Sequence, residues 1–234
     1  MTSGDSMRVT VCFGGSIIVP DKPDIECIRE SAEALRELRA HKHDSLVVVG
    51  GGRTSRIYID VARKLKASDP HCDVIGIATT RINARLLIAA LGELTEPNPA
   101  STFEAAIRLA LRGKIPVMGG MTPGQTTKAV AAMLASSSRS ELLVYFTDVD
   151  GVYTADPKKD PSAKKLETMT ALQLVGLVSG VRIEPGIKVI IDPIAAKIIE
   201  RSRIRTLVMG RKEIKRLPEI VAGGSHSGTT ILPR

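Results

Sequence analysis

The chain has 234 residues, a length that suits one large domain or two lobes around a shared core. Apolar residues make up 43% of it, which excludes a disordered chain, and aromatic residues make up only 3%, so the core must be aliphatic. The net charge of +8 suits anionic ligands such as nucleotides, although the same excess is typical of a solvated basic surface.

The composition disfavours several classes of function. The three cysteines show no C-x-x-C spacing and no Cys/His cluster, so we expect no structural zinc and no resident metal site. No apolar run reaches about 18 residues and no signal-peptide pattern opens the chain, so we expect a cytoplasmic protein without a membrane partner. Aromatic residues are not interleaved with the basic ones, so we expect no nucleic-acid partner.

Four predicted strands each end in a turn rich in glycine or small polar residues. The strands are Arg8–Phe13, Leu46–Val49, Ile115–Met118 and Leu142–Phe146, and the turns after them are 14–16, 50–53, 119–127 and 147–156. Glycine lets backbone N–H groups approach phosphate oxygens closely, and the carboxyl ends of parallel strands meet at one sheet edge. We therefore expect one anion-binding cleft, although it is not a P-loop, since no G-x-x-x-x-G-K-[ST] is present.

Helical patterns alternate with these strands, which predicts an α/β fold: a three-layer α/β/α sandwich with a mostly parallel central sheet. The helix Thr54 to Lys66 is expected to turn Ile57, Val61 and Leu65 inward. The helix Ala78 to Leu91 is apolar on several sides, which makes it a candidate subunit interface.

Three further segments complete the sequence pattern. Ser101 and Glu104 have the spacing of a capping box that opens a helix. The run from Thr147 to Pro157 gathers three acidic side chains, a tyrosine and two threonines after a buried strand, and is more specific than an ordinary Asp-Gly turn. Asp192 and Lys188 form a charged pair beside an apolar run.

These segments occur in one order across nearly the whole chain, and together they resemble the amino acid kinase family, in particular its archaeal uridylate kinase branch. The resemblance implies transfer of the ATP γ-phosphate to UMP, giving UDP, with Mg²⁺, in a homohexamer of pyrimidine nucleotide biosynthesis. Residues 1–6 are small and polar, which indicates a loose extension. The resemblance implies a single domain at 7–234, with an acceptor-nucleotide lobe at 7–140 and an ATP-binding lobe at 141–234.

The resemblance further implies roles by position. The residues expected to bind ATP are Gly15, Ser16, Gly52, Arg56, Thr147, Tyr153 and Asp156. Those expected to bind UMP are Gly51, Asp73, Met121, Thr122, Pro123, Gly124, Gln125, Thr126 and Thr127. The groups expected around the transferred phosphate are Asp192, Lys188 and Arg56. From pattern alone Arg56 suits a surface ion pair equally well.

Two departures from the family pattern keep alternatives open. Many members carry a lysine just before the Gly-Gly-Ser turn, where this chain has Cys12 or Phe13. The residue after Thr126-Thr127, commonly Asp in this group, is Lys128, which reverses the local charge. One alternative is a sister enzyme acting on isopentenyl phosphate, carbamate or an acylamino acid. Another is a relative that binds nucleotides or oxyanions without catalysis.

Overall fold

The computed structural model describes residues 6–155, 160, 162–180 and 190–234. The strands are β1 Arg8–Phe13, β2 Asp44–Val49, β3 Val117–Met118, β4 Leu142–Thr147, β5 Val152–Tyr153, β6 Lys165–Leu166, β7 Thr168–Thr170, β8 Arg205–Gly210 and β9 Thr229–Leu232. The α-helices are α1 Gly15–Ile18, α2 Ile25–Ala40, α3 Gly52–Lys64, α4 Asp69–Leu91, α5 Phe103–Leu111, α6 Thr127–Ser138, α7 Ala171–Val178, α8 Pro193–Ser202 and α9 Leu217–Val221. Short 3₁₀ segments lie at Gly92–Leu94 and Arg211–Arg216.

Within these residues the main sheet has the strand order β3-β2-β1-β4-β8-β9-β7. The strands from β3 to β8 are mutually parallel, and β9 runs antiparallel to β8 and parallel to β7. The prediction of a mostly parallel sheet is confirmed. Because β1, β2, β3 and β4 point the same way, the turns that follow them leave the sheet at one edge.

Helices cover both faces of this sheet. Alternate residues of β1 point to opposite faces, so Val9, Val11 and Phe13 pack into one core and Cys12 into the other. The first core lies beneath α1, α2, α4 and α9, and the second lies beneath α5, α6, α7 and α8. Phe13 stacks on Phe146 of β4 with the ring centroids 5.5 Å apart. The predicted three-layer sandwich is therefore confirmed.

Helix α4 begins earlier than the sequence pattern indicated. Ser68 is its N-cap residue and Pro70 stands in its first turn, where the fixed φ of proline suits a helix start. Asp73 consequently lies on the helix, not in a segment leading to it. By length and composition the stretch Asp69–Leu94 is apolar enough to cross a membrane. One side of it packs against α2, α3, β2 and β3, and 39% of its most apolar stretch is buried.

The expected inward face of α3 is wrong. Ser55, Ile59 and Ala62 are buried, with Ile59 and Ala62 in a small core beside Cys72 of α4. Ile57, Val61 and Leu65 are exposed instead. Both sets have helical spacing, and α3 packs on α4 rather than on the sheet, so periodicity alone did not select the buried stripe.

Smaller corrections concern helix starts. Thr102, not Ser101, caps α5, since its hydroxyl accepts from the N–H of Ala105 at 3.1 Å. Helix α6 begins at Thr127 with Thr126 as its cap, and α8 begins at Pro193 with Asp192 as its cap. These last two caps bring a threonine and an aspartate of the predicted site to helix starts.

Candidate functional site

The first two glycine turns lie against each other, backbone to backbone. A Cβ on Gly15 would lie 1.9 Å from the nitrogen of Gly52, and a Cβ on Gly50 would lie 2.4 Å from the nitrogen of Gly15. Gly52 also has a φ of +67°, which side chains other than glycine rarely adopt. The contact requires glycine on both sides, and it places the predicted phosphate-binding residues Gly15 and Gly52 side by side.

The turn after β1 also joins the loop after β4. The N–H of Gly14 donates to the carbonyl of Phe146 at 2.8 Å, and the hydroxyl of Ser16 donates to Asp148 at 3.1 Å. Thr147 is buried, and its hydroxyl donates to the carbonyl of Val149 at 2.7 Å. Thr147 therefore shapes the loop, while Ser16 connects two of the four turns.

Polar side chains of helix α4 hold the acceptor side of the cleft together, and one of them is Arg81, whose guanidinium donates to the carbonyl of Gly120 at 3.3 Å. The amide of Asn83 donates to the carbonyls of Gly50 at 2.9 Å and Gly51 at 3.0 Å. The hydroxyl of Thr80 accepts from the N–H of Gly120 at 2.6 Å. Sequence reasoning missed the roles of Thr80 and Asn83. Their spacing of three on an otherwise apolar helix was the available signal.

A further polar side chain of α4 is Asp73, which the sequence predicted as a site residue. Its carboxylate accepts from the N–H of Gly124 at 2.7 Å, so it anchors the exposed tip of the 119–127 loop. Thr122, Pro123 and Gly124 are exposed, while Met121 and Gln125 are half-buried. The side-chain oxygen of Gln125 is buried and has no hydrogen-bond partner among the described residues. This buried acceptor lies on the residue next to Gly124, which Asp73 anchors.

Thr126 and Asp192 meet at the far end of this loop. The hydroxyl of Thr126 donates to Asp192 at 2.5 Å and accepts from the N–H groups of Lys128 and Ala129. Asp192 is fully buried, and its second oxygen accepts from the N–H of Ala195 at 3.0 Å. Both carboxylate oxygens of Asp192 are therefore engaged in fixing helix starts. Lys188, its predicted companion, lies outside the described residues.

A second group of polar side chains surrounds Asp150 in the loop after β4. The hydroxyl of Tyr153 donates to Asp150 at 2.7 Å, and the ammonium of Lys165 lies 2.9 Å from it. The hydrogen bond from Tyr153, and then the contact with Lys165, lower the pKa of Asp150. Their hydrogen bonds to Asp150 raise the pKa values of Tyr153 and Lys165. Lys165 also donates to the carbonyl of Ser227, so Tyr153 is held near the C-terminal turn. Asp156 lies outside the described residues.

Arg56 lies in the first turns of α3, behind Gly52, and is half-buried. No ion pair links it to another described residue. Of the two interpretations that the pattern left open, the surface ion pair therefore finds no support in the described part of the chain.

Of the two residues in front of the Gly-Gly-Ser turn, Phe13 points into one core and Cys12 into the opposite one. Cys12 therefore occupies the position at which a lysine was expected. Burial raises the pKa of the Cys12 thiol to about 12, with Lys128 acting in the opposite direction and Asp192 in the same direction. Tyr145 lies beside Cys12 in the neighbouring strand, and its hydroxyl donates to the carbonyl of Lys128 at 2.8 Å. Burial, Cys12 and Asp192 raise the pKa of Tyr145. Both groups remain neutral near pH 7.

The described residues contain no cluster of three or more His, Cys, Asp or Glu side chains able to hold a metal ion. Mg²⁺ commonly keeps several waters and binds through one or two carboxylates and the phosphates of a substrate. Asp148, exposed beside Ser16, is a carboxylate of that kind. This donor set fits Mg²⁺ that arrives with a nucleotide.

Glycine turns, helix starts without side-chain caps and a polar loop meet at one edge of a parallel sheet, which is the arrangement that α/β proteins use to bind anions. The family model for the amino acid kinase family matches residues 7–210. The chain belongs to the amino acid kinase family.

Curated relatives match almost end to end. The uridylate kinase of Pyrococcus abyssi is 46% identical over 227 residues, covering 97% of this chain and all of the relative. The uridylate kinase of Methanococcoides burtonii is 47% identical over 215 residues, covering 92% of this chain and 91% of the relative. The crystal structure of the uridylate kinase from Archaeoglobus fulgidus superposes with a TM-score of 0.83 at 42% identity, covering 96% of this chain and all of that one.

Proposed function

We propose that this protein is a uridylate kinase that transfers the γ-phosphate of ATP to UMP, giving UDP and ADP. The observation that carries the proposal is the convergence of the turns after β1, β2, β3 and β4 at one sheet edge. The names of relatives matched over their full length support UMP as the acceptor. The other acceptors and the non-catalytic alternative lack such support.

The ATP phosphates would lie over the paired glycine turns. No side chain caps α1 or α3. The N–H of Arg53 donates to the carbonyl of Val19 at 3.0 Å, so at the start of α3 the N–H of Gly52 is the group that would donate to a phosphate. Gly15, Ser16 and Gly52 would supply backbone donors, and Arg56 would supply a cation. The nucleoside end would lie against the loop after β4, with Thr147, Tyr153 and Asp156 around it.

UMP would occupy the opposite end of the cleft, between Gly51, α4 and the 119–127 loop. Asp73 already orders the tip of that loop through Gly124, and its carboxylate would accept hydrogen bonds from the ribose hydroxyls. The unpaired oxygen of Gln125 would accept from the bound nucleotide. Met121, Thr122, Pro123, Thr126 and Thr127 would complete the acceptor site. With UMP and ATP at opposite ends of the cleft, the acceptor-nucleotide lobe would end and the ATP-binding lobe would begin near residue 140.

Phosphoryl transfer needs positioning and charge neutralisation more than a dedicated base. Asp192 would serve positioning, since it fixes Thr126 and the start of α8. Lys188 and Arg56 would neutralise charge on the transferred group. Mg²⁺ bound to ATP would supply further positive charge.

We also propose that the protein is a homo-oligomer, a hexamer by the resemblance, acting in the cytoplasm in pyrimidine nucleotide synthesis. Helices α3 and α4 pack together, and we call their exposed large apolar side chains, with that of the α3 C-cap residue, the α3–α4 surface: Ile57, Tyr58, Val61, Leu65, Val74 and Ile82. Leu65 is 77% exposed and Ile82 60%. An apolar patch of this kind on two adjacent helices is typical of a subunit interface.

The test is product analysis with purified protein, ATP, Mg²⁺ and a panel of acceptors: UMP, CMP, AMP, isopentenyl phosphate, carbamate and acetylglutamate. UDP formation far above every other product is the expected result. Preferential turnover of another acceptor would replace UMP in the proposal. Nucleotide binding without turnover of any acceptor would point to the non-catalytic alternative.

A further inference from the structure

A small hairpin outside the main sheet carries part of the predicted ATP site. Strands β5 and β6 pair only with each other among the described residues, and each is two residues long. Tyr153 of β5 is one of the residues expected at the nucleoside end of ATP. A two-stranded hairpin on its own is at best marginally stable in water. The position of Tyr153 therefore depends on the contacts that attach this hairpin to the rest of the protein.

Thr229 makes such a contact with both strands of the hairpin. It is the first residue of β9, it is fully buried, and its backbone pairs with Val208 of β8 in the main sheet. Its hydroxyl accepts from the N–H of Val152 at 2.7 Å and donates to the carbonyl of Leu166 at 2.5 Å. Val152 and Leu166 lie opposite each other in the hairpin. One hydroxyl thus attaches both strands of the hairpin to the main sheet.

The contact of Thr229 is long-range and closely packed. Threonine hydroxyls commonly bond to backbone groups a few residues away, whereas the two partners of Thr229 are 77 and 63 residues away. Gly151 permits the close approach, because a Cβ on it would lie 2.7 Å from the hydroxyl oxygen of Thr229. The hydroxyl therefore connects two separate elements and does not shape its own strand.

The turn before Thr229 provides a second attachment to the same hairpin. The ammonium of Lys165 donates to the carbonyl of Ser227 at 2.8 Å and to Asp150 at 2.9 Å, and Asp150 accepts from Tyr153. Ser227 is itself fixed, because its N–H and hydroxyl both donate to the buried carboxylate of Glu213. The side of the hairpin that faces the C-terminal turn is therefore held on a well-connected support.

We propose that Thr229 is a positioning residue for ATP, which places Tyr153 and the loop after β4 against the nucleoside end of the bound nucleotide. The inference rests on the nucleotide placement in the proposed function. Thr229 acts through Val152 and Leu166 and does not touch the nucleotide. Loss of its hydroxyl leaves the N–H of Val152 and the carbonyl of Leu166 without this partner, so the hairpin shifts to satisfy them elsewhere.

The experiment compares the parent protein with Thr229→Val, Thr229→Ser and the control Thr206→Val. The control removes the hydroxyl of another buried threonine, which donates to the carbonyl of Ile204 near the amino end of β8. For Thr229→Val we expect the KM for ATP to rise about 10-fold or more, since a displacement of about 1 Å in a binding group can cost up to about 10²-fold. Thr229→Ser keeps the hydroxyl and should stay near the parent value, as should Thr206→Val.

The division between KM and kcat separates positioning from a merely structural role. A partly unfolded variant has less active enzyme, so its apparent kcat falls while both KM values stay the same. For Thr229→Val we expect the opposite: the KM for UMP, and kcat at saturating ATP, should change less than about 3-fold. A KM for ATP within about 3-fold of the parent value would overturn the inference.

Calorimetric titrations with ADP and with inorganic tripolyphosphate identify which end of the nucleotide is affected. Tripolyphosphate has no nucleoside, so its affinity should be equal in the parent and in Thr229→Val, while ADP should bind the variant more weakly. An equal loss for both ligands would contradict the inference. If Thr229→Val does not fold, Lys165→Met loosens the same hairpin at Ser227 and Asp150, and unchanged ADP affinity in that variant would contradict the inference as well.

The ADP titration needs no acceptor, so it also separates this inference from the proposed function. A parent protein that binds ADP but does not phosphorylate UMP would refute the proposed function, and weaker ADP binding by Thr229→Val would still support the role of Thr229. A parent protein that binds no ADP would refute both.

Discussion

The hydroxyl of Thr126 donates to the buried carboxylate of Asp192 at 2.5 Å, so the caps of two helices are joined to each other. Thr126 caps α6 at the end of the predicted acceptor loop, and Asp192 caps α8 from the other half of the chain. The distance between the starts of α6 and α8 is fixed by this one contact and by the packing behind it. The acceptor loop therefore ends on a rigid support.

Removing the Thr126 hydroxyl should reduce both stability and activity. Thr126→Val loses a helix cap, which costs about 1–2 kcal/mol of unfolding free energy in urea titrations. It also frees the end of the acceptor loop, so kcat should fall by an order of magnitude or more. The control Thr170→Val removes the cap of α7, away from the cleft, and should lose similar stability with kcat unchanged. Equal kcat in the two variants would reject the positioning role.

Loss of the Asp73 carboxylate should weaken the binding of UMP more than the binding of ATP. Asp73→Ala removes the anchor of Gly124 and the predicted ribose contact, and hydrogen bonds to charged groups are worth about 1.5–3 kcal/mol. We expect the KM for UMP to rise about 10-fold or more while the KM for ATP stays near its parent value. Asp69→Ala, one turn earlier on α4, is the control and should change neither constant. An equal rise in both KM values would contradict the assignment.

Substitution of Gly15 should disrupt the paired turns. The added Cβ of Gly15→Ala would meet the backbone nitrogen of Gly52 at 1.9 Å. We therefore expect the free energy of unfolding to fall by about 3 kcal/mol or more and ATP binding to be lost. Gly176→Ala is the matched control, because nothing lies within 4 Å of its added Cβ inside α7. That substitution should stabilise the protein by about 0.5–1 kcal/mol. Native stability and ATP affinity in Gly15→Ala would refute the close contact.

Stability should fall on mild acidification, in part through His43. This side chain is buried, and its Nδ1 accepts from the N–H of Met7 at 3.1 Å, which requires an unprotonated Nδ1. Burial, and then His41, lower the pKa of His43 in the folded protein. The unfolded chain binds the proton more tightly, so the His43 contribution is complete above its ordinary pKa of about 6.5 and is lost as the pH falls from there through the lowered folded value.

Urea unfolding between pH 8 and pH 5 measures this slope. His43→Gln should flatten it, while His71→Gln, which alters an exposed histidine of α4, should leave it close to that of the parent. The remaining slope in His43→Gln should include His226, whose pKa burial also lowers. An unchanged slope in His43→Gln would show that His43 titrates alike in both states.

A charge on the α3–α4 surface should dissociate the oligomer. Leu65→Glu places a carboxylate at the C-cap of α3, where Leu65 is the most exposed residue of the α3–α4 surface, and its desolvation would oppose association. We expect light scattering after gel filtration to give a lower mass than for the parent. Leu111→Glu, at a 70% exposed leucine of α5, should keep the parent mass. A monomeric parent, or an unchanged mass for Leu65→Glu, would contradict the proposed interface.

The order of strands and glycine turns could be predicted because each feature is local in sequence. Apolar runs such as Leu142–Phe146 and the glycines after them determine where strands end, and parallel pairing then brings the turns to one edge. The facing contact of Gly15 and Gly52 is a product of that pairing. The need for glycine in these turns could be predicted from the sequence, but the close distance between the backbones of Gly15 and Gly52 could not.

The contacts that build the site from α4 and α8 could not be predicted in the same way. Asn83 and Thr80 bind backbone groups more than thirty residues away, and no local pattern specifies such partners. The prediction of the buried face of α3 was wrong for a related reason. Two stripes of residues have helical spacing, and only the packing of α3 on α4 determines which stripe is buried. The partner of Asp192 in the structure is Thr126, a choice made by tertiary packing.

The central claim is that ATP and UMP lie together over one row of glycine turns and that phosphate passes directly between them. Initial rates of UDP formation over a matrix of ATP and UMP concentrations test this most directly. Double-reciprocal lines that intersect, with no ATP hydrolysis when UMP is omitted, are the predicted result. Parallel lines, with labelled phosphate retained on the protein after incubation with ATP alone, would contradict it.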